Sequence, residues 1–270
     1  MKKLLCLLLT VALLAAAIPM FTVSSSAAGG TLTVTSGGKV LGTVDVGNEF
    51  IYSVSLDSAG YSPYMCEGRV TSNSAFAEIV SYGTVRSDGS VSMDSYCFPT
   101  RIRNASLASN YHGPNDEIRY NYSKTNDGIG VFTPSDHYFK VRFKAVKAGT
   151  TEIHHVFSLL YTVKEGYIPF DLITENKPNA SLNPAPGFSD AIEPATAYMG
   201  DANGDYTLNV MDATFIQRKS AGANVTCVQK NADINNDGEI TLKDALLIVR
   251  YQAGMDTGTK VGEWIFESEQ

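Results

Sequence analysis

Two stretches near the C-terminus place carboxylate, amide and carbonyl oxygens at a spacing that suits a hard cation. The first offers Asp201, Asn203, Asp205, the Thr207 carbonyl, Asn209 (directly or through water) and Asp212. These are positions 1, 3, 5, 7, 9 and 12 of a loop. The same positions recur as Asp233, Asn235, Asp237, the Glu239 carbonyl, Thr241 and Asp244. Calcium takes roughly six to eight oxygen ligands, and a loop of about 12 residues supplies them at these positions. One such loop on its own could be a polar turn capping a helix. Two loops with matching ligand positions point to metal, and two Ca2+ sites are expected.

The likeness extends beyond the ligands. Gly200–Gly222 aligns with Ala232–Gly254, and the helical part repeats Ala213/Ala245, Ile216/Ile248, Arg218/Arg250, Ala221/Ala253 and Gly222/Gly254. The repeating unit is therefore a loop followed by a helix. Leu208 and Ile240 at position 8 can pack between the loops. Position 12 is Asp where an ordinary EF-hand has Glu, so each carboxylate is one methylene shorter. Neither loop shows a helix entering directly before it. Position 6, usually Gly, is Gly238 in the second loop and Tyr206 in the first. A Tyr at positive φ costs on the order of 1 kcal/mol, so the first site is expected to be the weaker or the differently shaped one.

From Gly200 to Gly254 these features resemble a type I dockerin, with paired loop–helix calcium repeats, Asp at position 12 and a linker before them. The resemblance implies a small all-α, EF-hand-like module that folds with calcium, as expected when a metal site forms with its fold. It also implies docking onto a cohesin carried by a scaffoldin. Recognition would be centred on loop positions 10 and 11 and helix positions 17 and 18. These are Val210, Met211, Gln217 and Arg218 in the first unit, and Leu242, Lys243, Val249 and Arg250 in the second. The Ser/Thr pair common at positions 10 and 11 is absent, which implies a specificity unlike that of the best-known cellulose-degrading systems. Only the arginines match between the two faces, which argues against symmetric two-way binding. Val210 and Leu242 have a second reading, as helix–helix core.

Other elements must carry this module. From Thr31 to about Val163 the pattern is β: Phe50, Tyr52, Val54 and Leu56 alternate with Ile51, Ser53 and Ser55, and Phe139, Val141 and Phe143 alternate with Lys140, Arg142 and Lys144. A period of two reads as strands with one buried face. Turn residues such as Gly37-Gly38, Ala59-Gly60 and Ala148-Gly149 punctuate them. The expectation is a jelly-roll sandwich over 29–175, and the fold class is mainly β with a small all-α module behind it. Residues 176–198 hold Pro178, Pro184, Pro186 and Pro194 and read as a Pro-rich linker. The dockerin-like module is placed at 199–257. In the tail, 258–270, the one tryptophan, Trp264, is expected to clasp the calcium module by packing.

The task of the sandwich is less sharply written. There is no Gly-x-Ser-x-Gly, no His-Glu-x-x-His and no repeated βα pattern, so a non-catalytic role is expected. Eleven tyrosines lie between Tyr52 and Tyr167. Tyr120 and Tyr122 would share a strand face and could form a sugar-binding stripe, although Tyr also suits half-buried strands. Gly42 to Phe50, and Tyr138 to Ile153 with its Gly turn, resemble strands of a cohesin. That resemblance implies dockerin-bearing enzymes as partners of the sandwich, with polysaccharide as the alternative. Of the histidines only His154 and His155 adjoin, and on a strand they would face opposite ways. Cys66 and Cys97 are read either as a pair or as buried thiols.

Composition bounds the rest. Formal charge is −7 over 270 residues, which argues against nucleic acid as a partner. Lys2 and Lys3, an apolar run from Leu4 to Met20, and Ser26-Ala27-Ala28 read as a signal peptide over 1–28. Its removal takes away two lysines and leaves −9. The expectation is a secreted, acidic chain with no membrane span, attached to a cell surface or complex only indirectly.

Overall fold

The computed structural model describes residues 29–63, 65–85, 91–92, 100–102, 115–123, 137–164 and 168–269. The leader at 1–28, Cys97, and the side chains of Tyr120 and Tyr122 lie outside the described residues. Along the chain run β1 (Thr31–Ser36), β2 (Lys39–Asp45), β3 (Glu49–Asp57), β4 (Met65–Asn73), β5 (Ala77–Val85), β6 (Val91–Ser92), β7 (Thr100–Ile102), β8 (Asn115–Ser123), β9 (His137–Ala145) and β10 (Gly149–Glu152). There follow β11 (His154–Lys164), β12 (Ile168–Thr174), β13 (Lys177–Pro178), β14 (Gly187–Pro194) and β15 (Ala197–Tyr198). The C-terminal part adds α1 (Val210–Ser220), α2 (Gln229–Ala232), α3 (Leu242–Gln252) and β16 (Trp264–Ile265).

Two larger sheets, ordered β13-β12-β11-β4-β8-β7 and β14-β3-β9-β5-β6, share one apolar core. β1 pairs with β2 antiparallel and with β10 parallel. The alternating residues behave as their period requires. Phe50, Tyr52, Val54 and Leu56 from β3 meet Phe139, Val141 and Phe143 from β9 in the core, and the rings of Phe50 and Phe143 stack at 5.4 Å. Mainly β architecture with a small helical C-terminal module is what the sequence led us to expect.

The stretch 176–198 is not a linker. β14 forms an eight-residue antiparallel ladder with β3, from Gly187↔Asp57 to Pro194↔Phe50. Phe188 and Ile192, two strand periods apart, pack on the core. Between them Asp190 accepts a hydrogen bond from Ser36 Oγ at 2.5 Å. Burial raises the Asp190 carboxyl above its ordinary range, against the bonds from Ser36 and Tyr52. The prolines mislead because β14 is an edge strand: Pro184 and Pro186 precede it and Pro194 ends it, positions that leave the ladder intact. The sandwich therefore runs on through Pro194.

The outer face of β3 is also covered, which the alternation did not announce. Phe266, 1% exposed, packs with Ile51 and Ala195. The Arg142 guanidinium lies 4.6 Å from the centre of the Phe266 ring. Lys140 donates to Ser268 Oγ at 3.4 Å. His155 is buried and His154 is not, in line with their expected opposite facing. Cys66 is fully buried in β4, whereas half-buried Cys227 packs against the core of the helical module.

Candidate metal centre

The helical module is built from two loop–helix units whose helices α1 and α3 pack against each other. Its core is Ala202, Ala213, Phe215, Ile216, Ala232, Ile234, Ala245, Ile248 and Val261. Leu208 and Ile240 both pack against this core from the loops. One difference from the sequence reading concerns the approach: the single-turn helix α2 leads directly into the second loop. The first loop is entered from β15.

Each loop is wound around its position-1 carboxylate. Asp201 Oδ1 accepts from the amides of Gly204 and Asp205, and Oδ2 from that of Tyr206, at 3.0–3.1 Å. Asp233 accepts from Asp237 at 3.1 Å and Gly238 at 2.9 Å in the same way. At position 3, Asn203 Nδ2 donates to Asp205 Oδ2 at 2.8 Å, as Asn235 does to Asp237. Asp205 and Asp237 also take the amides of Thr207 and Glu239. The wiring repeats although the position-6 residues differ.

Position 12 closes each loop by serving its helix. Asn209 and Thr241 are N-caps whose side chains accept from Met211 N and Lys243 N. Asp212 and Asp244 reach back to the cap amides at 2.9 Å. Such reciprocal capping satisfies donors that a helix start leaves open. The other oxygens, Asp212 Oδ1 and Asp244 Oδ1, turn into the loops and accept from Asn203 N and Asn235 N, both at 3.2 Å. A shorter Asp suffices because the helix start itself carries the carboxylate to the loop.

Positions 4 and 6 of both loops lie in the left-handed region: Gly204 at φ 75 and Tyr206 at φ 61, then Asn236 at φ 55 and Gly238 at φ 89. Each loop thus spends one glycine on two such residues. Asn tolerates the conformation and Tyr does not, so the penalty expected at Tyr206 is present. The backbone shape is nonetheless shared.

The electrostatics fit a cation. Asp201 and Asp212 are both 0% exposed. Burial pushes the Asp212 carboxyl up to about 6, the charges of Asp201 and Asp205 adding to it against the amide bonds. Asp201 is raised by the same burial. Like charges held close and away from water are what a divalent ion relieves. In the second loop Asp237 is lowered, first by the Asn235 bond. Among the described residues no group of three His, Cys, Asp or Glu side chains converges closely enough to hold a metal alone. A calcium sphere here would draw on the Asn oxygens and the Thr207 and Glu239 carbonyls as well.

Two bracing residues were not evident in the sequence. Asn231, 5% exposed, donates to the Asp201 carbonyl at 2.9 Å and accepts from Tyr198 N. Gln252, at the end of α3, donates to the Leu208 carbonyl at 3.0 Å. Each ties the first loop to the second unit, and neither sits at a repeated position.

The helix faces expected to meet a partner are open. Val210 is 59% and Leu242 61% exposed, which rules out their helix–helix core reading. Met211, Gln217, Lys243, Val249 and Arg250 are exposed too, and Arg218 is half-buried. Arg250 Nη2 donates to the Asp256 carbonyl at 2.9 Å, and Lys243 lies 3.8 Å from Asp237. Leu246, Tyr251 and Met255 extend the apolar exposure of the second unit.

The tail does clasp the module, as expected of Trp264, and it does more. β16 pairs with β15, and Trp264 stacks on Tyr198 at 4.3 Å. Phe266, two residues on, is buried against the sandwich. An open cavity of about 160 Å³ at this junction is lined by Tyr198, Tyr206, Trp264, Asn48 and Asn231 among others.

Residues 199–251 match the family model of the dockerin type I domain. No curated protein matches the chain. Among the described residues no helix is long and apolar enough to cross a membrane. Type I dockerins bind calcium and take cohesins as partners in extracellular complexes.

Proposed function

We propose that this chain is a secreted, non-catalytic component of a polysaccharide-degrading complex of the cellulosome or amylosome kind. Its dockerin docks it, with calcium, onto a cohesin-bearing scaffoldin. The observation that carries this reading is the pair of loops that share most of their hydrogen-bond wiring, each closed by an Asp that caps a helix with an exposed apolar face. Both loops hold a calcium ion, through Asp201, Asn203, Asp205, the Thr207 carbonyl, Asn209 and Asp212, and through Asp233, Asn235, Asp237, the Glu239 carbonyl, Thr241 and Asp244. The ions neutralise buried carboxylates and fix the angle of α1 against α3. Val210, Met211, Gln217, Arg218, Leu242, Lys243, Val249 and Arg250 then meet the cohesin.

The sandwich acts as a cohesin-like module that accepts dockerin-bearing enzymes, making the chain an adaptor. The soft sequence resemblance around Gly42–Phe50 and Tyr138–Ile153 supports this. A sugar-binding sandwich delivered by the same dockerin is the second reading, favoured by the tyrosine content of the strands. One experiment separates them. The full chain is immobilised and offered the secretome of a source culture grown on fibre or starch, with calcium or with chelator. It is then repeated with Asp201→Ala/Asp233→Ala, which disables the chain's own loops. Calcium-dependent capture of a scaffoldin that the double variant loses supports the dockerin role. Calcium-dependent capture of dockerin-bearing enzymes by the double variant supports the adaptor. Retention of the double variant on insoluble polysaccharide, with no enzyme captured, favours the sugar binder.

A further inference from the structure

We infer that Tyr206 couples calcium binding in the first loop to the docking of the dockerin on the sandwich. The inference rests on the calcium reading of that loop. Tyr206 belongs to both sites at once. Its amide holds Oδ2 of the buried ligand Asp201 at 3.0 Å. Its ring leaves the module and lies against the sandwich, where a Cβ on Gly47 would stand 2.8 Å from the Tyr206 Cδ2. The phenol donates to Asp45 Oδ2 at 3.3 Å. On another side the ring meets Trp264 at 6.0 Å between ring centres, inclined to it by 29°.

Gly47 sits between β2 and β3 at φ 100, and its missing side chain is the space the tyrosine fills. The second loop has Gly238 at this position, and a Cβ there would meet nothing within 4 Å. A strained residue with external contacts in one loop, against a relaxed residue with none in the other, is the signature of a conformation held from outside.

The consequence follows from linkage. If the sandwich holds Tyr206 in its left-handed conformation, docking favours the loop shape that presents Asp201 to calcium. By reciprocity calcium in the first loop favours docking by the same factor. The second loop is free of this coupling. Part of the polar lining of the junction cavity is committed within the chain. Asn48 donates to the Ala195 carbonyl, Asn231 to that of Asp201, and Thr196 to that of Ile265.

The test uses the full chain, calcium as the probe, and Trp264 as the only tryptophan. Calorimetry follows the two calcium events, and loss of one in Asp201→Ala identifies the first loop. Gly47→Ala is expected to weaken the first-loop event at least about fivefold, the low end of measured couplings, to leave the second unchanged, and to redden Trp264 emission. In a Tyr206→Gly background the same substitution is expected to change neither calcium event. Should Gly47→Ala fail to fold, Asp45→Ala, at an exposed position, is expected to act in the same direction by about twofold. Equal first-loop affinities with and without the sandwich-side change overturn the coupling, as does a Gly47→Ala effect that persists in Tyr206→Gly. A chain that releases no calcium heat at all overturns the calcium reading and the coupling with it.

Discussion

Phe266→Ala tests whether the sandwich and the dockerin are held together by the tail. The phenyl ring is 1% exposed among Ile51 and Ala195, with partly buried Trp264 beside it. Truncating a buried Phe typically costs about 3–5 kcal/mol. This cluster is small and can partly collapse, so the low end applies, and it includes the contribution of the Arg142 guanidinium over the ring. One term works in the opposite direction. Lys140, 4% exposed beneath the tail, regains water when the tail lifts and loses only a 3.4 Å bond to Ser268. A net loss of about 2 kcal/mol remains, which is roughly a thirtyfold shift toward the undocked tail. Limited proteolysis of the tail and the emission of Trp264 read this directly. Phe266→Ala should be cut faster and emit further to the red, while the exposed neighbour Glu267→Ala behaves as wild type. Identical cleavage and emission in Phe266→Ala and wild type would refute the strap and return the two modules to independent motion.

Chelation should lower the helical circular dichroism and the melting temperature of the dockerin, and Asp244→Ala should remove one calorimetric calcium event; an unchanged spectrum sinks the paired sites. Leu242→Asp, at a side chain 61% exposed, should cut cohesin capture by about thirtyfold, the scale of a hot-spot loss of about 2 kcal/mol, while both calcium events stay intact. For pH, burial holds the His155 imidazole down at about 3. Its folded value lies below its unfolded one, so its contribution is present above about pH 6.5 and is lost as pH falls toward 3, by about 1.4 kcal/mol per unit. His155→Gln should flatten that slope in denaturant titrations; a slope unchanged from wild type contradicts the assignment. A chain stopped after Pro178 lacks β14 and leaves the β3 edge open, so it should aggregate at concentrations where a chain stopped after Tyr198 stays monomeric in gel filtration.

The two loop–helix units could be read directly because a repeated local spacing is its own control, and both loops take the same backbone shape. The period-two strands were legible for the same reason, since the pleat fixes which residues share a face. What escaped depends on distant contacts. β14 hides behind Pro184, Pro186 and Pro194, because a composition that suits a linker also suits the ends of an edge strand. Burial of both faces of β3 cannot be inferred from alternation, since the covering Phe266 is more than two hundred residues away. The cost of Tyr206 was visible in one position of the repeat, but its compensation by Gly47 and Trp264 was not. Asn231 and Gln252 carry no periodic mark at all.

The two loop–helix units begin from nearly the same sequence and end in different surroundings. The first unit is turned inward at the start of its loop: Asp201 and Asn203 are buried where Asp233 and Asn235 are half-buried, its tyrosine meets the sandwich, and Asn231 and Gln252 brace it from the second unit. Positions 5 and 7 are exposed in both loops, so the second unit is set apart by exposed Gly238 at position 6 and by Leu242, Leu246 and Val249 exposed on its helix. At the matching helix positions the first unit presents Val210, Thr214 and Gln217, a more polar face. A partner that turned by half a revolution would exchange an apolar face for a mixed one and a free loop for one already engaged by the sandwich. Those two encounters bury different chemistry, and the apolar area removed from water, which dominates association, favours the second unit. The pseudo-symmetry of the repeat is thus kept in the winding of the loops and broken at the exposed faces of the helices and at the junction with the sandwich.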